Sequence, residues 1–308
     1  MHRFADIPLA YRFADVREIT EGMSGDRKYR IAVTNGEHWL LRIADVAEYD
    51  TKRKDAMYLH RLWQAGLPVP KVIASGPCED GKSVYTLLEW MEGTEAEQTV
   101  PQLPQNEQYA FGIKSGEILR AIHENTAMPH MGSWLQRYCD VMQPRFDAYR
   151  EKGEPFAGSD TVLRFLEDNM PLLEGRPQCR LHGDYHLGNM IIGEAGKLFI
   201  IDWQTVDFDG AADGWYDFTR LALQYPAVAA GQIDGYFGGD IPQAFWRLLA
   251  VYLSASCLTS IVWAKHRIPK LLPEVLQNNA DNAAFLAQTK NYIPAWYKAF
   301  HQSCNPLL

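Results

Sequence analysis

The chain has 308 residues and a formal net charge of −8, with 47% apolar and 22% charged residues. These values are typical of a soluble globular protein and exclude an intrinsically disordered chain. The acidic balance, without any lysine- or arginine-rich run, argues against nucleic acid as the main partner. The length allows one large domain or two lobes with a well-buried core.

The cysteines and the apolar segments predict a cytoplasmic protein. Five scattered cysteines without a CxxC pair indicate neither a disulfide framework nor a zinc site, and they fit a reducing cytosol. Met1–Ala10 lacks the apolar core of a signal peptide. Ala244–Ala264 is long enough to span a membrane, but its internal Arg247 makes a span costly. We expect instead a buried helix with Asp240 as its N-cap and Pro242 in its first turn, and no membrane partner.

Residues 1–92 are predicted to be mostly strands, with one helix. Apolar residues alternate beside the hairpin signal Asn35-Gly36, whereas Ala56, Leu59 and Leu62 recur at helical spacing. The predicted strands are Tyr29–Val33, His38–Ile43, Lys71–Ala74 and Ser83–Trp90, and the predicted helix is Lys52–Trp63.

From about residue 94 the periodicity becomes helical. A short connector, Glu89–Gly93, joins the two regions. We therefore predict an α+β protein with a small β-rich lobe at 1–92 and a larger helical lobe at 93–308. The predicted helices are Glu107–His123, Asp160–Leu173 with Asp160 or Ser159 as its cap, Tyr216–Tyr225 and Ala244–Ala264.

Two short motifs, His182–Asn189 and Ile200–Trp203, contain the polar residues with the clearest chemistry. Apolar runs on either side of Gly193–Gly196 predict a tight β-hairpin between the motifs. Such a hairpin brings Asn189 and Asp202 to the same end. The oxygen atoms of both side chains suit a hard cation such as Mg²⁺.

Asp184 precedes the hairpin in a glycine-containing loop, where a carboxylate can align or deprotonate a substrate hydroxyl. Phosphoryl transfer requires such a carboxylate together with two oxygen ligands for magnesium. A different interpretation takes His182, Asp184 and His186 as zinc or iron ligands of a metal-dependent hydrolase. Gly183 and Gly188 favour a loop over the extended strand that this would need, so His182 is preferred as a structural histidine.

The two motifs resemble the catalytic loop of the aminoglycoside phosphotransferase and choline kinase superfamily, whose pattern is H-G-D-x-H-x-G-N followed by I-D-[WFL]. Ala212–Asp217 and Leu67–Val72 are similar to further segments of the aminoglycoside 3′-phosphotransferases. The resemblance implies a bilobal, protein-kinase-like fold. It also implies transfer of the γ-phosphoryl group of ATP or GTP to a substrate hydroxyl, with Mg²⁺ as the metal.

The same resemblance implies a role for each matching residue. Asp184 would be the catalytic base or aligning residue, and Asn189 and Asp202 would be the magnesium ligands. Asp217 would hold the catalytic loop through its backbone amides. The segment from Glu89 to Met91 would form the hinge whose backbone groups bind the purine.

The small lobe would supply the nucleotide loop. Gly22, Ser24 and Gly25 lie where this loop is expected. The glycines there would let backbone amides approach the phosphates, and the serine hydroxyl would add a donor.

Arg42 stands where kinases usually have the lysine that binds phosphate. A guanidinium keeps the charge and can bind phosphate in a bidentate way. The helix glutamate that normally pairs with this cation is replaced by Asp55, which is one methylene shorter, and Glu48 is an alternative partner.

The acceptor is the least determined part of the prediction. Acidic side chains that could receive a polycation follow the motifs at Asp207, Asp209, Asp213, Asp234 and Asp240. Ser303–Leu308 lacks the acidic side chains with which several aminoglycoside 3′-phosphotransferases bind the drug. We predict a small-molecule kinase acting on an aminoglycoside-type antibiotic, with a role in resistance, or on a metabolite such as an amino alcohol or sugar. Two alternatives to a small-molecule kinase are a nucleotide-binding pseudokinase and the metal-dependent hydrolase.

Overall fold

The computed structural model describes residues 4–20, 25–203, 208–220 and 225–304. The strands of this part of the chain are β1 (Phe13–Ile19), β2 (Arg27–Val33), β3 (His38–Asp45), β4 (Val72–Cys78), β5 (Ser83–Glu89), β6 (Thr94–Glu95), β7 (Gln178–Arg180), β8 (Met190–Ile192), β9 (Leu198–Ile200) and β10 (Ala211–Asp213). The α-helices are α1 (Tyr49–Gln64), α2 (Ala96–Thr99), α3 (Gln105–Asn125), α4 (Trp134–Lys152), α5 (Ser159–Asn169), α6 (Pro226–Phe237), α7 (Gln243–Arg267), α8 (Leu272–Gln288) and α9 (Ala295–Cys304).

The chain forms two compact units. The N-terminal unit comprises Met1–Gln102 and His186–Thr205, and the C-terminal unit comprises Leu103–Tyr185 and Val206–Leu308. This division differs from the predicted lobes, because the hairpin β8–β9 packs with the N-terminal unit. Strand β6, which follows the predicted boundary at residue 92, pairs antiparallel with β8 and so joins the hairpin to that unit.

The N-terminal unit contains a five-stranded antiparallel sheet in the order β1-β2-β3-β5-β4. Alternate residues of β2 and β3, among them Ile31 and Leu41, are buried on one face of the sheet. The β2–β3 turn occurs at the predicted Asn35-Gly36, where Gly36 has a φ of +87° that favours glycine. Strand β1 was not predicted, because its polar, mostly exposed residues do not alternate in polarity as a half-buried strand does.

Helix α1 covers the predicted Lys52–Trp63 and extends it at both ends. Its buried residues are Ala56, Leu59 and Leu62, the three that the periodicity indicates. Two of them, with Val84 of β5, line a cavity in the N-terminal unit. The helix therefore forms one wall of that cavity.

Helices α3 and α6 of the C-terminal unit pack unusually closely. A Cβ atom at Gly116 would lie 2.1 Å from the carbonyl oxygen of Gln232, and one at Gly235 would lie 2.1 Å from that of Ile113. Neither distance is compatible with a real side chain. The glycines are therefore required by the approach of the two backbones.

Several predictions about the helical part were wrong. Helix α5 has Gly158, with a φ of +84°, at its N-cap position, and not Asp160 or Ser159. The predicted helix at Tyr216–Tyr225 is instead a 3₁₀ segment over Gly214–Thr219, while residues 221–224 lie outside the described chain. Helix α4 was missed, and its internal Pro144 is a residue that normally argues against a helix.

Helix α7 contains the apolar stretch that was considered as a membrane span. Within the described part of the chain it is the one helix that is long and apolar enough to cross a bilayer, but 67% of its most apolar window is buried in the protein. It packs against α4, α5 and α8. Its N-cap position is Pro242, and not the predicted Asp240. The burial fits the expected core helix, and cytoplasmic localisation stays a prediction.

Candidate active site

The first part of the His182–Asn189 motif is held by a buried carboxylate in the C-terminal unit. Asp217 Oδ2 accepts a hydrogen bond from the main-chain N–H of His182 at 2.9 Å, and Oδ1 accepts one from Gly183 at 2.8 Å. The backbone at Gly183 is left-handed, with a φ of +83°. Asp217 therefore bonds to the backbone amides of the loop, as the resemblance implies.

A histidine supports the buried charge of Asp217. Nε2 of His123, in α3, lies 3.1 Å from Asp217 Oδ2, and Nδ1 of the same ring lies 3.0 Å from the Tyr236 hydroxyl. Burial alone would raise the pKa of Asp217, but the hydrogen bond and charge of His123 outweigh it and lower this pKa below its ordinary value. The carboxylate therefore stays ionised and can accept both amide bonds.

The His182 side chain contacts the loop to which it belongs. Its ring is buried, its Nδ1 accepts from the Asp184 N–H at 3.3 Å, and it makes a T-shaped ring contact with Tyr185. The Tyr185 hydroxyl in turn donates to the main-chain oxygen of Ser115 at 2.7 Å. The described residues contain no group of three or more His, Cys, Asp or Glu that could hold a metal ion. This arrangement gives the hydrolase interpretation no support.

Asp184 has a cationic neighbour that the sequence did not identify. Nε of Arg220 lies 3.5 Å from Asp184 Oδ1, and the two side chains are 54% and 41% exposed. Arg220 follows the Asp217 segment by three residues, but no periodicity or motif marks an arginine there as a partner of the loop. The carboxylate keeps substantial exposure, as a residue that contacts a substrate requires.

The predicted hairpin is present in the N-terminal unit. Strands β8 and β9 pair with Met190 opposite Ile200, and the Ile201 N–H donates to the main-chain oxygen of Asn189 at 2.9 Å. Asn189 and Asp202 therefore lie at the same end of one hairpin. Asp202 has a left-handed backbone, with a φ of +59°.

The two residues at this end of the hairpin fit a magnesium ion by their chemistry. Asn189 turns its amide nitrogen toward His186, with Nδ2 3.3 Å from Nε2, and Asp202 contributes a half-exposed carboxylate. Amide and carboxylate oxygens are the ligands that Mg²⁺ prefers. Their role as metal ligands stays a prediction.

Arg42 connects this end of the hairpin to the sheet. Its Nη1 lies 2.7 Å from Asp202 Oδ1, and its Nε lies 2.8 Å from Asp26 Oδ2. Burial alone would lower the pKa of Arg42, but the charges of Asp26 and Asp202 raise it above its ordinary value. The third nitrogen, Nη2, is buried and has no hydrogen-bond partner among the residues that the structure describes.

Asp26 is a partner of Arg42 that the sequence analysis missed. It also accepts from Nζ of Lys52 at 2.9 Å on both oxygens, and Glu48 lies 3.4 Å from the same ammonium. Burial would raise the pKa of Asp26, but the charges of Arg42 and Lys52 lower it below its ordinary value. Asp55 lines the same cavity as Arg42, and its pairing with Arg42 stays a prediction.

Three of the other predicted nucleotide-binding residues, Gly25, Glu89 and Met91, lie within the described part of the chain. Gly22 and Ser24 lie outside the described residues. At Gly25 an added Cβ would meet nothing within 4 Å among the described residues. Glu89 ends β5, where its N–H donates to the main-chain oxygen of Lys71, and Met91 follows two residues later. The hinge role of this segment is therefore still an expectation.

Two of the acids considered as acceptor contacts are used inside the C-terminal unit. Asp213 is fully buried and accepts from Arg176 Nε and Nη2 at 2.7 and 3.0 Å. Asp234 is buried and accepts from the hydroxyls of Tyr109 and Tyr297. As an acceptor contact Asp213 was wrong, because it is fully buried and its oxygens already bind internal donors. Asp234 also lines a surface pocket, and its contact with an acceptor stays a prediction. Asp209 and Asp240 are exposed, and Asp207 lies outside the described residues.

The family is established by comparison with known proteins. The model of the APH phosphotransferase enzyme family matches residues 15–249, which is more than half of the chain. The chain therefore belongs to this family, a class of phosphotransferases that act on hydroxyl groups. The predicted family and enzyme class are confirmed.

Solved structures of low sequence identity share the fold. A Haemophilus somnus 129PT protein, provisionally assigned as a fructosamine-3-kinase, is 15% identical with a TM-score of 0.60, over 90% of this chain and 95% of that one. The amicoumacin kinase hAmiN, in complex with AMP-PNP, Ca²⁺ and Ami, is 13% identical with a TM-score of 0.59, over 94% and 95%. A thermostable mutant of aminoglycoside phosphotransferase APH(4)-Ia is 18% identical with a TM-score of 0.55, over 95% of both chains. The predicted α+β, protein-kinase-like fold is confirmed.

Proposed function

We propose that this protein is a small-molecule kinase that transfers the γ-phosphoryl group of ATP or GTP to a hydroxyl of its acceptor, with Mg²⁺. The observation that carries the proposal is the 2.7 Å ion pair between Arg42 and Asp202. It joins the predicted phosphate-binding cation to the predicted metal-binding carboxylate within one compact unit. A phosphoryl-transfer enzyme needs this pair of charges close together, since the metal and the cation bind the same polyphosphate.

Each of the predicted site residues has a separate role in the proposed reaction. Bound Mg²⁺ would neutralise charge on the nucleotide phosphates, and the side-chain oxygens of Asn189 and Asp202 would hold it. Asp184 aligns the acceptor hydroxyl and receives its proton as the oxygen attacks phosphorus. Asp217 keeps the backbone amides of His182 and Gly183 in place, so that the carboxylate of Asp184 is presented in one geometry.

Within the predicted range of acceptors, the charges around the loop favour a metabolite such as a sugar over a polycationic aminoglycoside. Arg220 places a positive charge 3.5 Å from Asp184, and a polycation at that carboxylate would be repelled by it. Asp213, which is fully buried and binds internal donors, adds no acidic surface.

An aminoglycoside-type antibiotic is the second candidate acceptor. The similarity of Ala212–Asp217 and Leu67–Val72 to the aminoglycoside 3′-phosphotransferases favours it. A resistance role would follow from that acceptor. The provisional fructosamine-3-kinase assignment of one structural neighbour fits the sugar-type acceptor instead.

The test is Mg²⁺-dependent consumption of ATP and GTP with a panel of sugars, amino alcohols and aminoglycosides. We expect acceptor-dependent phosphate transfer that Asp184→Asn reduces by several orders of magnitude. The exposed Asp168→Asn in α5 is the matched control and should retain wild-type activity. Nucleotide binding without turnover on the whole panel would favour a pseudokinase, and zinc-dependent activity without nucleotide would favour a hydrolase. Transfer that survives in Asp184→Asn would contradict the proposed role of that residue.

A further inference from the structure

Asp26 bridges two cations in the N-terminal unit. It lies immediately before β2, and it joins Arg42 of β3 to Lys52 of α1 through contacts of 2.8 and 2.9 Å. The Asp26 and Arg42 side chains are only 3% and 9% exposed, so these charges are little screened by water. The strand and the helix are thereby tied together by a carboxylate that belongs to neither element.

The three nitrogens of Arg42 have different environments. Nε donates to Asp26, Nη1 donates to Asp202, and Nη2 is buried with no hydrogen-bond partner in the described part of the chain. An unsatisfied buried donor is costly, so its presence indicates a position prepared for an acceptor. A guanidinium held at Nε cannot rotate about its long axis, and its Nη1–Nη2 edge therefore keeps one direction.

We propose that Asp26 is a positioning residue, which holds Arg42 at Nε so that the Nη1–Nη2 edge is presented to a phosphate of the bound nucleotide, and that Lys52 holds Asp26 in turn. This inference rests on the proposed function only in taking a nucleoside triphosphate as the phosphate ligand. Phosphate oxygens would then bind Nη1 and Nη2, and Asp202, which now contacts Nη1, would be available to hold the metal. Asp26 keeps its contact with Nε throughout.

The arrangement reverses the charges expected from the resemblance. In the kinases that this chain resembles, the helix contributes the carboxylate and the strand contributes the cation. The predicted carboxylate on the helix of this chain was Asp55. Here helix α1 contributes the cation Lys52, and the carboxylate is Asp26. This arrangement explains why position 42 is an arginine. A lysine ammonium cannot bind Asp26 and also present two parallel donors to phosphate.

Equilibrium titration with a fluorescent ADP analogue and Mg²⁺ tests the inference without any acceptor. We expect Asp26→Asn, Lys52→Met and Arg42→Lys each to weaken nucleotide affinity by roughly tenfold or more, as loss of a buried charged hydrogen bond does. Combining Asp26→Asn with Arg42→Lys should weaken affinity no more than either alone, because both remove the same arrangement. Asp26→Glu should recover part of the loss.

The controls are Asp50→Asn and Lys54→Met, two exposed charges on the same helix, which should bind nucleotide as the wild type does. Thermal melting separates loss of affinity from loss of folding, and Lys52→Met tests the same coupling if Asp26→Asn fails to fold.

Wild-type affinity in folded Asp26→Asn, or strictly additive losses in the double variant, would overturn the inference. If the wild type binds nucleotide but phosphorylates no acceptor, the proposed function fails while the titration still decides the role of Asp26. A wild type that binds no nucleotide would overturn both.

Discussion

Asp217 and Gly183, which are 34 residues apart, are joined by a 2.8 Å hydrogen bond from the main-chain N–H of the glycine to the carboxylate. The aspartate side chain is fully buried, and it also accepts from the preceding amide of the same loop, that of His182. A short loop with a left-handed glycine has little structure of its own. Its shape therefore depends on a side chain from a distant segment.

Replacement of Asp217 by asparagine should lower kcat more than it changes nucleotide affinity. An amide can accept one of the two N–H bonds but turns a donor toward the other, so the loop loses its fixed geometry. We expect kcat to fall about 10- to 100-fold, as loss of one or two charged hydrogen bonds implies. Steady-state kinetics measures this change, with Asp168→Asn as the control. Equal effects on nucleotide affinity and kcat would show that Asp217 acts on the whole fold and not on the loop.

The depressed pKa of Asp217 predicts a specific loss of stability in acid. Because the folded-state pKa lies below the ordinary value of 3.8, the ionised group stabilises the folded protein above that value. This contribution is lost as the pH falls from about 4 through the folded-state pKa. Urea unfolding followed from pH 6 to pH 2.5 should show a steeper loss of stability for the wild type than for Asp217→Asn. Parallel curves for the two proteins would contradict the assignment.

Removal of Arg220 should change the choice of acceptor. Without the positive charge 3.5 Å from Asp184, cationic acceptors are no longer repelled, and the carboxylate loses one source of orientation. We expect Arg220→Ala to lower kcat for neutral acceptors. We also expect it to lower the KM for aminoglycosides relative to the KM for neutral acceptors. The exposed Arg150→Ala in α4 is the control. An unchanged ratio of kcat/KM between the two acceptor classes would show that Arg220 does not select the acceptor.

Asp202→Asn should raise the Mg²⁺ concentration required for activity. The substitution removes the only formal negative charge from the predicted ligand pair while keeping the shape of the side chain. We expect the half-saturating Mg²⁺ concentration to rise by roughly tenfold or more, with activity partly restored at high Mg²⁺. Glu194→Gln, in the exposed turn of the same hairpin, should titrate as the wild type does. An unshifted Mg²⁺ curve would remove Asp202 from the metal site.

The close contact of α3 and α6 predicts an intolerance of side chains at its glycines. A Cβ at Gly116 would lie 2.1 Å from the oxygen of Gln232, so Gly116→Ala forces the helices apart. The expected loss is about 1–3 kcal/mol of unfolding free energy, as overpacking in a well-packed interior costs. Denaturant unfolding measures it, with Ala110→Ser on the exposed side of α3 as the control. A stabilised Gly116→Ala protein, as helix propensity alone would give, would contradict the contact.

The elements that could be predicted are those whose signals are local. The hairpin β2–β3, helix α1 and the hairpin β8–β9 each have a short-range pattern of apolar residues beside a turn or cap signal. Strand β1 and helix α4 lack such a signal, since one is polar and the other contains Pro144. Their structure depends on neighbouring elements that local patterns do not specify.

The sequence by itself determined the enzyme family and the hairpin that brings Asn189 and Asp202 to one end, and it predicted Asp184 as the residue that meets the acceptor hydroxyl. These conclusions rest on fixed spacings within the 22 consecutive residues from His182 to Trp203. Only the tertiary structure decided that Asp26 pairs with Arg42, that Arg220 lies beside Asp184, and that Asp213 and Asp234 are buried among internal donors. The reason is physical, because the partner of a charge is set by strand register and helix packing between segments far apart in the chain.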